Sequence, residues 1–74
     1  MKVYKLRRPF HEFKKGTEFY LIAQSEFIGV KEFTLRTKDL HHTVFVNERE
    51  FLRYFRQINA WLDVETAWYL YQAV

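Results

Sequence analysis

Three histidines, two of them adjacent, are the first residues in this sequence that could do chemistry, and metal binding is the chemistry they suggest. His41 and His42 fall in an extended stretch, where neighbouring side chains point to opposite faces and cannot grip one ion. His11 lies far away in sequence, the chain has no cysteine, and no two histidines stand at helical i, i+4 spacing. They read as turn or surface residues, able to confer some pH sensitivity near the usual imidazole value of about 6.5. For catalysis the search is for a nucleophile with its base, a carboxylate pair or a phosphate-cradling loop. Ser25 sits in a polar turn-like stretch, Gly16 and Gly29 are too far apart for a glycine-rich loop, and Asp39 and Asp63 have no evident partner. Glu12 beside His11 is the one acid–base neighbour pair. A short chain also has little material for an enclosed pocket. The expectation is a non-enzyme with no catalytic residues, no cofactor and no metal.

The cations offer a different chemistry. Arg49, Arg53 and Arg56 recur on one side of a helical pattern, and Lys5, Arg7, Arg36 and Lys38 extend a basic surface across the preceding strands. Interleaved with Tyr20, Phe33 or Phe45, such a surface suits a single strand of nucleic acid, with bases on rings and phosphates on cations. The plainer reading is a solvated helix face partly paired with Glu48 and Glu50. A net charge of +3 is well below the basic bias that makes nucleic-acid binding the default. Nucleic acid is therefore the second reading.

The third group is aromatic: eight Phe, five Tyr and two Trp. Buried rings can substitute for a longer core, but so many exceed what a small interior holds, and the surplus should form a surface patch. Trp61, Trp68, Tyr69, Leu70 and Tyr71 gather near the C-terminus. Trp68 falls on an inward stripe, which favours core packing, while Tyr69, Leu70 and Trp61 lie off it or at its edge. Tyr and Trp are the side chains that most often carry interface energy, so this cluster marks a protein-binding surface, with a second copy of the chain among its candidate partners.

The elements that must position these groups follow from the pattern. Lys2 to Arg8 alternates, with Tyr4 and Leu6 on one face and Lys5 and Arg7 on the other, and Pro9 ends the strand. Gly16 is the natural site of positive φ before the chain re-enters the sheet. Thr17 to Ala23, apolar on both faces, should be the central strand. Gln24-Ser25-Glu26 reads as a turn and Phe27 to Arg36 as a long strand. Its interior Gly29 and a parity slip between Ile28/Val30 and Phe33/Leu35 suggest a bulge. Thr37 to His41 turns the chain into a fourth strand, His42 to Val46. Asn47 then caps a helix from Glu48 to about Ile58, with Glu50 completing a capping box. Its inward stripe is Phe51, Tyr54, Phe55, Ile58 and Leu62. Asp63 can cap a second helix carrying Val64, Ala67, Trp68, Tyr71 and Val74 on one face. A terminal edge strand is its rival, given the β-propensity of residues 68–71.

The expected fold is α+β: a bent four-stranded antiparallel sheet, curled toward a partial SH3-like barrel, followed by one or two C-terminal helices. Residues 1–46 form the β-meander and 47–74 the helical part of a single domain of 74 residues. Without disulfide or thiolate metal, a chain this short is at the size where a core alone is marginal and a partner helps. No apolar run approaches the roughly 18 to 20 residues of a membrane span, and charges interrupt the N-terminal apolar residues, unlike a signal peptide. A cytoplasmic protein is expected. Together these features point to a small protein-interaction module, a regulator or inhibitor of a larger protein or complex, that can self-associate as a homodimer.

Overall fold

The structure is a computed structural model and describes residues 2–58. It is a mixed α+β fold built on an antiparallel sheet: β1 (Val3–Leu6), β2 (Glu18–Phe27), β3 (Val30–Thr37), β4 (Thr43–Asn47), a helix α1 (Glu48–Tyr54) and β5 (Phe55–Ile58). The strands lie in the order β4-β3-β2-β1-β5. β2 is central, as its two-sided apolar sequence requires. The first four strands form the expected meander, and each pairing is antiparallel. Among the described residues β4 and β5 are the two ends of the sheet, which is open there and does not close into an SH3-like barrel.

Three local expectations change. The helix stops at Tyr54 and Phe55 turns extended, with φ −116 and ψ 143. Phe55 to Ile58 then pairs with β1, Leu6 against Phe55 and Val3 against Ile58. β1 would otherwise be an unpaired edge, and satisfying its backbone outweighs four more residues of helix. The sheet thereby gains a fifth strand from residues whose apolar spacing also fits a helix. The hairpin turn lies at Ile28-Gly29 and not at Gln24 to Glu26, which continue β2. The bulge lies in β2: the register shifts between Leu21 and Ala23, leaving Ile22 without an opposite residue. The parity slip read near Gly29 is thus the signature of a turn together with a bulge one strand earlier.

Most of the core lies on one face of the sheet, under α1. Tyr4, Leu6, Phe10, Phe19, Phe33, Leu35, Val46 and Phe55 are buried there, with Phe51 and Tyr54 of the helix packed against them. Phe51 stacks on Phe33 with ring centres 4.0 Å apart and planes 8° from parallel, and its ring also meets Tyr4 at 4.9 Å. The other face holds a smaller cluster of Val3 and Tyr20, with Ile22, Leu40 and Ile58 around it. Leu40 has a positive φ of 67°. Its side chain is partly buried in that second cluster, and burial offsets the strain of the left-handed conformation.

The strand-to-helix junction forms as expected. Asn47 Oδ1 accepts from the Glu50 N–H at 2.8 Å and Glu50 Oε1 accepts from the Asn47 N–H at 3.0 Å. A helix of two turns has few internal bonds, so losing these two matters. Asn47→Ala is expected to destabilise the fold by about 1 kcal/mol, read as a lower urea midpoint with an unchanged m-value.

Candidate interaction surface

The protein-binding residues read from the sequence, Trp61, Trp68, Tyr69, Leu70 and Tyr71, lie outside the described residues; so do the second helix and its rival edge strand. The cationic set is divided. Register places Arg56 beside Lys5 and Lys5 beside Glu18, and the Lys38 N–H donates to the Glu18 carbonyl at 3.1 Å. Lys38 Nζ lies 3.3 Å from Glu18 Oε1. Arg36, one row further in, stands opposite Tyr20. Lys5, Arg36, Lys38 and Arg56 therefore share the face that carries Tyr20, the one opposite α1. Arg7 follows directly from β1, its N–H bonded to the Tyr54 carbonyl at 2.8 Å. Arg49 and Arg53 ride on α1, across the sheet from that group, with Arg53 over the Tyr54 ring at 5.7 Å. The expected stripe Arg49/Arg53/Arg56 does not form, because the helix ends before Arg56. Arg36 is drawn inward by a 3.1 Å hydrogen bond from its guanidinium to the Leu40 carbonyl. Of the rings proposed to interleave with the cations, Phe33 is buried beneath α1 and Tyr20 is buried in the smaller cluster on the cationic face, whereas Phe45 is exposed on that face.

The histidines occupy turns. His11, at φ 52°, packs its ring on Phe10 at 4.2 Å. His42 meets the edge of Phe13 at 5.5 Å. An open depression of about 490 Å³ is lined by Glu12, Phe13, Thr17, Glu18, Thr37, Lys38, Asp39 and His42. Glu12 thus shares a depression with His42, while its sequence neighbour His11 is not part of the lining. Among the described residues no group of three or more His, Cys, Asp or Glu could hold a metal ion, and no helix is long and apolar enough to cross a membrane.

Asp39 organises the β3–β4 turn on the rim of this depression. Its Oδ1 accepts from the Thr37 hydroxyl at 2.6 Å and from the His41 N–H at 2.9 Å. Those bonds, the hydroxyl first, hold its carboxyl below the ordinary carboxylate value. A folded-state pKa below the unfolded one means that the contribution is present above the unfolded value and lost as pH falls through the folded one. The turn is therefore expected to loosen only on acidification below about pH 4. Protection of the His41 and His42 amides relative to their intrinsic exchange rates should fall there, and Asp39→Asn should abolish that pH dependence.

The most exposed apolar groups are elsewhere. β2 and β3 continue past the body of the sheet as a two-stranded arm ending in Phe27-Ile28-Gly29-Val30. Phe27 is 78% exposed and Ile28 84%, and Val30, Phe45 and Leu52 are also largely exposed. Ile28 and Gly29 both have positive φ, 52° and 75°, the pattern of a type I′ turn. Gly29 suits it. A β-branched residue in that conformation is a true outlier. Lys31 Nζ lies 3.5 Å from Glu48 Oε2, a half-exposed contact between the arm and the start of α1. Sequence reading missed this arm because polar Gln24-Ser25-Glu26 outcompeted Ile28-Gly29 as a turn. The available signal was Gly29 itself, at the second central position of a two-residue loop between Phe27 and Val30.

No family model, curated protein or solved structure matches the chain. Its class is that of its own architecture, which among the described residues is an open antiparallel α+β sheet with one short helix.

Proposed function

We propose that the chain is a small non-enzymatic protein-interaction module, acting as a regulator or inhibitor of a larger protein or complex. The observation that carries this reading is the apolar end of the β2–β3 arm, where Phe27, Ile28 and Val30 project together. A contiguous exposed apolar group on a small protein marks a binding surface, and the strained Ile28 shows a side chain kept where a turn would favour Asn or Gly. The C-terminal aromatics Trp61, Trp68, Tyr69, Leu70 and Tyr71 are proposed to add to that surface. The test is affinity capture from the native host with and without nuclease treatment of the extract, using the full chain and Ile28→Asp in parallel. The reading predicts proteins retained by the former and lost by the latter. Retention that disappears with nuclease would overturn it.

A second reading, nucleic-acid binding, is supported by the grouping of Lys5, Arg36, Lys38 and Arg56 on the sheet face that also carries the exposed Phe45. It requires affinity for a single-stranded oligonucleotide that falls steeply with salt and a clear loss in Lys5→Glu. Binding indifferent to salt would remove it.

A further inference from the structure

β2 outruns its neighbour. β1 pairs with it only from Glu18 to Tyr20, with one further bond from the Leu21 N–H to the Lys2 carbonyl at 2.9 Å. Beyond the bulge at Ile22, residues Ala23 to Phe27 pair with β3 on one side and, among the described residues, with nothing on the other. All of them are exposed. Pairs in an antiparallel ladder alternate between hydrogen-bonded and non-hydrogen-bonded, and a two-residue hairpin is closed by a bonded pair. Phe27↔Val30, Ser25↔Glu32 and Ala23↔Thr34 therefore carry the bonds to β3, and the N–H and C=O groups of Gln24 and Glu26 point outward. An edge that no other described residue pairs is a template for strand addition. Two of the common protections are missing, since there is no Pro or Lys between Ala23 and Phe27, and Glu26 is the one charge along it.

We infer that this edge pairs with the same edge of a second copy, antiparallel about Ser25, joining two sheets into one. The inference rests on the reading of the chain as a protein-interaction module and names one partner for it. The register is self-complementary. Gln24 of each copy faces Glu26 of the other, so outward backbone groups meet outward backbone groups and no carboxylate faces its equivalent. Phe27 faces Ala23 of the other copy, in a row that continues through Thr34 to the exposed Phe45. A projecting ring thus gains a flat seat of small side chains bounded by a second ring. Charge disfavours an anionic surface as occupant: Glu26 and Glu32 flank the arm, and its one cation, Lys31, is turned toward Glu48.

The experiment uses the full chain, which has no native cysteine. Non-hydrogen-bonded antiparallel pairs bring Cα atoms to about 4.5 Å, within disulfide reach. Ser25→Cys should therefore oxidise readily to a covalent dimer, whereas Ala23→Cys, which faces Phe27, should not. By sedimentation equilibrium Gln24→Lys, facing Glu26 twice per dimer, should tighten association about tenfold, and Gln24→Glu should weaken it about tenfold. Circular dichroism of each variant verifies the fold. A chain monomeric at millimolar concentration, or disulfide formation equal at positions 23 and 25, would overturn the inference, as would charge variants that leave association unchanged. If host proteins are still captured in that case, the interaction reading stands and only the dimer falls.

Discussion

Phe19→Ala is expected to leave the chain largely unfolded at room temperature. Phe19 lies on the central strand with no exposed surface, and its ring meets Phe13 and Phe55 edge-on, each at 5.3 Å. Those contacts join the loop after β1, the central strand and the start of β5, so the ring connects elements from the two ends of the described chain. Truncating a buried phenylalanine costs about 3–5 kcal/mol through lost transfer energy and the cavity left behind. Small domains typically hold roughly 0.05–0.15 kcal/mol of stability per residue, so the loss approaches the whole reserve of a chain this size. The control is built into the same strand: Phe27→Ala removes an exposed ring and should change stability by less than about 0.5 kcal/mol. Urea denaturation followed by near-ultraviolet circular dichroism reads both. Equal losses for the two would mean that the core is not centred on β2.

The contrast between Phe19 and Phe27 also shows which parts of the fold the sequence made legible. Where residue type and period agreed, placement followed: the two-sided apolar run of β2 is central, alternating Tyr4 and Leu6 face the core, and Asn47 with Glu50 caps the helix. Phe51, Tyr54, Phe55 and Ile58 satisfy a helical period, but Phe55 and Ile58 serve equally as opposite faces of a strand. The choice between them was made by β1, whose free edge needed a partner. No local pattern records that need. The turn at Ile28-Gly29 was hidden for the opposite reason: the local rule is clear and the sequence violates it. Such violations collect where a side chain is kept for something other than folding. As for the candidate site, the cationic residues were identified by type, but their division between the two sides of the sheet depends on where the helix stops.

Ile28→Asn is expected to stabilise the fold while weakening any binding that uses the tip of the arm. Asn-Gly is the preferred pair for a type I′ turn because asparagine tolerates the left-handed region and glycine occupies it freely. At φ 52° the β-branched Ile28 carries a local cost of roughly 1–2 kcal/mol, and at 84% exposure it recovers little of that by burial in its own chain. Relief of the strain should raise the urea midpoint by a corresponding amount with an unchanged m-value, measured at a concentration below that of self-association. The sign is the informative part, since replacing a large apolar residue usually destabilises. The strand-edge register about Ser25 does not use the Ile28 side chain, so dimerisation should persist in this variant while capture of host proteins falls. A single substitution thus separates three properties of the arm: the strain of its turn, the pairing of its edge and the chemistry of its tip.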